Sequence, residues 1–139
     1  MILSSMTLSS RFLACLAAVV VLACLCFAAD KKQLSDAVAA CEANLKTPAG
    51  KQYDESLSKE FPAKYLPSLK QCKQSLPEGA NMDPFDMFLK LDGKGKVQEV
   101  LVYPETPLAL CARTALLAGQ FSSPPHDDYW VNIHMHPKH

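Results

Sequence analysis

The period of the apolar residues changes once along this chain, at PEGANMDP (residues 77–84). That change limits it to folds with a helical half followed by a strand-forming half. In DKKQLSDAVAACEANLK, residues 30–46, the residues Leu34, Val38, Cys41 and Leu45 recur at the spacing of one helical face. Pro48, Ala49 and Gly50 read as the stop of that helix. A second helix is expected from about Lys51, with Tyr53, Leu57 and Phe61 on its face and Pro62 ending or kinking it. A third, AKYLPSLKQCKQSL, aligns Tyr65, Leu69, Cys72 and Leu76, with Pro67 in its first turn.

Beyond the seam, Phe85, Met87, Leu89 and Leu91 alternate with Asp86, Phe88, Lys90 and Asp92, the pattern of a strand with one buried face. The segment DGKGK, residues 92–96, has the composition of a hairpin connection. In the partner strand Val97, Val100 and Val102 slip phase at Gln98 and Glu99. One extra residue in a bulge explains the slip, as does burial on both faces. Thr106 is placed to cap a helix with Pro107 at its first position. Leu108, Cys111, Ala112, Ala115 and Leu116 then face inward, and Gly119 is the expected stop. FSSPP is extended by its prolines, and YWVNIHM closes the chain as a strand. The class is α+β: N-terminal helices, then a ββαβ unit forming a small antiparallel sheet with one packed helix. The expected organisation is a leader over residues 1–29, a helical half over 30–79 and the ββαβ half over 80–139, the last two forming one compact domain.

Within residues 84–135, an acid and a glycine stand in the hairpin (Asp92, Gly93), Val97 opens the second strand, and Phe121, Pro124 and Pro125 precede the last one. In these positions the segment resembles the C-terminal domain of the TonB energy-transducer superfamily. The resemblance implies the ββαβ fold and a protein-binding role without catalysis. This chain lacks the long proline-rich spacer of true transducers and is helical in its N-terminal half. The resemblance therefore implies a fold more than energy coupling.

Residues 1–11 hold one base, Arg11, and no acid, and Phe12–Ala29 carry no charge. A basic flank, an apolar run and a small-residue exit are the parts of a secretory signal peptide, with cleavage after Ala28. The run also reaches the roughly 17 residues a membrane span needs, so an uncleaved anchor is the alternative. VLAC, ending at Cys24, loosely resembles a lipoprotein box. The expected location is periplasmic or secreted, with an inner-membrane anchor as the alternative and membrane contact only through this segment. The remainder holds 13 bases against 14 acids, net −1 with histidine neutral. That balance offers no field for nucleic acid or anionic lipid. Cys41, Cys72 and Cys111 lie beyond the leader, and in an oxidising compartment two of three should pair. The pair expected is Cys41–Cys72, on two helices with a turn between them, which leaves Cys111 a buried free thiol. A bridge from Cys111 to either of the others is the alternative.

All four histidines fall within HDDYWVNIHMHPKH, residues 126–139. On a strand, Tyr129, Val131, Ile133 and Met135 face the helix, while Trp130, Asn132, His134 and His136 face outward. His134 and His136 then stand about 7 Å apart at the backbone and can lean toward one copper or zinc ion, with His126 or His139 as a third ligand. An exposed strand face also needs polar residues, and histidine serves there without any ligand. Trp130, flanked by Asn132 and His134, has the character of a protein-interaction anchor, unless another segment covers it. Ser122 or Ser123 with His126 and Asp127 lacks a nucleophile-elbow context, and no other catalytic set, dinucleotide motif or calcium loop can be named. The function expected is a protein-binding module without catalysis, and the alternative is a periplasmic metal-binding protein.

Overall fold

The computed structural model describes residues 30–138, so the expected leader, its expected cleavage point and His139 lie outside the described residues. Asp36 onward forms one compact unit, and residues 30–35 fall outside it. The elements are α1 (residues 30–45), α2 (Pro48–Ser75), β1 (Phe85–Leu91), β2 (Val97–Tyr103), α3 (Pro107–Leu116) and β3 (Tyr129–Met135). The three strands form one antiparallel sheet in the order β2-β1-β3. The fold is α+β, helices first and ββαβ after.

In α1 the buried positions are Ala37 and Cys41, while Val38 and Leu45 are 37% and 43% exposed. The inward face is thus turned from the one the bulky residues suggest. Small side chains there allow close approach, and Asn44, on the same stripe, reaches β3. Pro48–Gly50 starts α2 instead of separating two helices. Thr47 is the N-cap, its Oγ1 accepting from the Gly50 N–H at 3.0 Å, with Pro48 at the first helical position. Gly50 is required by the tight corner, because a Cβ there would sit 1.8 Å from the Asn44 carbonyl oxygen.

α2 runs unbroken through Pro62 and Pro67, where the sequence suggests two helices. Each internal proline costs about 3 kcal/mol, but both lie on the exposed side. The opposite stripe buries Tyr53, Leu57, Phe61 and Leu69 in the core. At about 1.5–3 kcal/mol per buried large side chain, that stripe offsets the two prolines.

The unbroken helix also overturns the expected Cys41–Cys72 bridge. Cys72 bonds to Cys111 of α3, with Cα atoms 5.8 Å apart, and Cys41 is a buried free thiol. Cys41 lines a narrow cleft with Gly50 and Tyr53, near the start of α2. At 1.5 Å rise per residue, Cys72 lies roughly 28 Å farther along the helix than Tyr53. The expected pairing needs the chain to reverse midway between the cysteines, where α2 runs on without a break.

On the sheet, Phe85, Met87, Leu89 and Leu91 of the central strand are at most 1% exposed. They pack with Val97, Val100 and Val102 of β2, Tyr129 and Val131 of β3, and the α2 and α3 stripes. The phase slip in β2 is a bulge: Lys90 pairs with Glu99 and Leu91 with Val97, leaving Gln98 as the extra residue. In the hairpin the critical glycine is Gly95. Its φ is +86°, and a Cβ there would sit 2.2 Å from the Phe121 carbonyl oxygen. At Gly93 a Cβ would meet only ordinary contact, with Asp127 at 3.8 Å. Asp92 Oδ1 accepts from the N–H groups of Lys96 and Lys94, both at 2.9 Å, which holds its carboxyl below the usual range. Thr106 caps α3, accepting from the Ala109 N–H at 3.2 Å. The helix stops at Ala118, which takes the left-handed conformation (φ 69°) in place of Gly119.

Candidate functional site

β3 is an edge strand, and its surroundings differ between its two ends. Trp130, Asn132 and His134 pair in register with Lys90, Phe88 and Asp86. They share the face opposite the core. Ile133 and Met135 pack against the core cluster from the other side, with Tyr129 and Val131 inside it. This is the alternation expected from the sequence. Two neighbours change its character. Phe88, on the same face as Asp86 and Lys90, is only 5% exposed. Trp130 is half-buried, bordering a cleft with Cys41, Asn44 and Leu45 of α1.

The edge is closed at its first half by α1. The Asn44 amide donates to the main-chain carbonyl of Trp130 at 2.9 Å, so the polar backbone groups of Trp130 point away from β1. Groups two and four residues on, at Asn132 and His134, point the same way. Beside them lies an open groove of about 340 Å³ between α2 and β3, with Leu57, Phe61, Pro62, Leu66, Ile133 and Met135 in its lining. Asp54 and Ser58 also border it. Pro62 has no N–H to give the Ser58 carbonyl, so a hydrogen-bond acceptor of α2 stands free of its helical partner beside the groove. Leu66 is 40% exposed there. The groove was not legible in the sequence: Leu57 and Phe61 look like ordinary core positions, and only the path of α2 beneath β3 leaves their flank open.

His134 Nδ1 lies 2.7 Å from Asp86 Oδ1, its cross-strand partner. The His136 ring stands against it, centroids 4.3 Å apart and planes at 76°. His126 is not with them. Its Nδ1 sits 2.6 Å from the Asp127 carbonyl, and its ring packs on Tyr129 at the far end of the strand. Among the described residues no three histidine, cysteine or acidic side chains converge on a metal-sized point.

The serine set is also dispersed. Ser122 Oγ donates to Glu60 Oε2 at 2.7 Å, and the Ser122 N–H donates to Glu60 Oε1 at 3.0 Å. Tyr53 Oη donates to the Ser122 carbonyl at 2.7 Å. These bonds strap the segment before β3 onto α2. Burial pushes the Cys41 thiol up to about 12, so it carries no thiolate at neutral pH.

Among the described residues no helix is long and apolar enough to cross a membrane. Comparison with protein-family models, with curated proteins and with solved structures finds no match to the chain.

Proposed function

We propose that this is an exported protein-binding module of TonB C-terminal-like fold that captures an extended segment of a partner along the second half of β3. The observation that carries the proposal is the uncovered edge at Asn132–Met135 beside the apolar groove against α2. A segment added there takes main-chain hydrogen bonds from Asn132 and His134 and extends the sheet. Its alternate side chains enter the groove between Leu66, Phe61 and Met135, which supplies apolar area and selectivity. Export is supported by the apolar leader in the sequence and by the Cys72–Cys111 pair, which suits an oxidising periplasmic or extracellular compartment. The protein is assigned no catalytic step.

Photo-crosslinking tests the site. A photoreactive residue at position 66 is expected to trap a partner from an exported-protein extract, and one at Lys59, which pairs with Glu55, is not. Leu66→Glu and Asn132→Pro should abolish capture, the second by removing an edge N–H. Capture that survives both changes but is lost in Trp130→Ala would move the binding surface to the outer sheet face.

A further inference from the structure

We propose that His134, on the outer face of β3, and His136, just past the end of that strand, form a copper(II)-binding pair, with Asp86 as the positioning residue that sets the tautomer of His134. The inference is independent of strand addition at the edge. Residues two apart in extended backbone stand about 7 Å apart; His136 directly follows the last residue of β3, and its ring lies at a centroid separation of 4.3 Å from that of His134. An ionised carboxylate only accepts hydrogen bonds. The 2.7 Å contact between Asp86 Oδ1 and His134 Nδ1 therefore places the imidazole proton on Nδ1 and leaves the Nε2 lone pair for a ligand. Carboxylate–histidine–metal is the recurrent orienting arrangement at protein metal sites. Asp86 is held in turn by the central strand, between His134 on β3 and Tyr103 on β2. Among the described residues no hydrogen bond fixes the tautomer of His136, so either ring nitrogen can present its lone pair to an ion while the other carries the proton.

Two imidazoles with water in the other positions suit a tetragonal copper(II) ion best. Copper heads the affinity order of the divalent first-row metals, and nitrogen–oxygen sets at near right angles are its preferred geometry. Zinc and nickel should bind the same pair more weakly. Asp86 adds a negative charge beside the ion. His126 contributes nothing, because it lies at the opposite end of the strand against Tyr129.

The test is titration of the full chain with copper(II) at neutral pH, followed by electron paramagnetic resonance and by quenching of Trp130, the only tryptophan. One equivalent is expected to bind, with hyperfine structure from two imidazole nitrogens. His134→Gln combined with His136→Gln should weaken binding at least tenfold. Asp86→Asn should weaken it by about 10–100-fold, the usual cost of losing an orienting partner. His126→Gln should leave it unchanged. The wild-type spectrum is a test that needs no variant: a signal without two nitrogen ligands overturns the site. So does a double variant that binds as tightly as the wild type, or a loss in His126→Gln as large as in the double variant. If the double variant loses the ion and Asp86→Asn does not, the positioning role of Asp86 is overturned.

Discussion

Asn44 and Trp130 are joined by a side-chain to main-chain hydrogen bond of 2.9 Å across 86 positions of sequence, and this bond marks where the edge of the sheet passes from covered to open. A partly buried hydrogen bond of this kind contributes about 1 kcal/mol. Asn44→Ala should lower the urea midpoint by an amount equivalent to about 1 kcal/mol. Faster amide hydrogen exchange should appear at Tyr129 and Val131, whose N–H groups face β1, before it appears in β1 itself. An unchanged midpoint together with unchanged exchange at Tyr129 and Val131 would show that another group satisfies that carbonyl.

The disulfide gives a prediction that separates the two pairings. Peptide mapping without reduction should yield one linked pair containing Cys72 and Cys111, with Cys41 alkylated only after unfolding. With its thiol pushed up to about 12 by burial, Cys41 should resist iodoacetamide at pH 8 in the native state. Replacing Cys72 and Cys111 by serine opens a loop of separation 39. In the chain-entropy model this costs about 4 kcal/mol, read as a fall in the denaturation midpoint. Recovery of a Cys41–Cys72 peptide would reject the arrangement.

Glu60 supplies a pH-dependent increment of stability. Burial raises its pKa, but hydrogen bonds from Lys64 and from the side chain and backbone of Ser122 together outweigh that and hold the carboxyl below its usual value of 4.5. A carboxylate depressed in the folded state stabilises above its unfolded pKa, and the increment is lost as pH falls through the folded one. Glu60→Gln should therefore cost about 2 kcal/mol at pH 7, since the lost bonds are charge-assisted. The gap between variant and wild type should close as pH drops below about 4. A gap that is constant from pH 7 to pH 3 would show that the carboxylate charge is not what holds the Ser122 strap.

Pro62 is a local weakness in α2. It is exposed, so replacing it leaves no cavity, and Pro62→Ala restores an N–H for the Ser58 carbonyl. The variant should be more stable by about 1–3 kcal/mol in chemical denaturation. If the groove is the docking site, the same variant should also capture partner less well, because the free acceptor is gone. A variant that is no more stable than the wild type would mean that the helix already accommodates the proline at little cost.

Local chemistry was enough for much of the architecture. The switch from helical to alternating period divided the halves, the slipped residue at Gln98 offered a bulge or burial on both faces, of which strand pairing chose the bulge, and Thr106 with Pro107 marked the start of α3. The same capping signature stands at Thr47 and Pro48, yet the following glycine disguised it as a stop. Its true role, clearing the Asn44 carbonyl, depends on the angle between two helices. What only the tertiary structure decided was which distant surfaces meet. A proline's cost is local, but the burial that overrides it at Pro62 and Pro67 comes from the sheet and α3. That single override moved Cys72 to Cys111, freed Cys41, and ran α2 under β3 so that one half of the edge stays open. The histidines divide the same way. Spacing of two set His134 and His136 side by side, but β3 ends at Met135 and His136 lies just past it, while strand pairing brought Asp86 to His134 and left His126 behind. Periodicity is written between near neighbours in the chain, whereas these partnerships are set by the packing of whole elements.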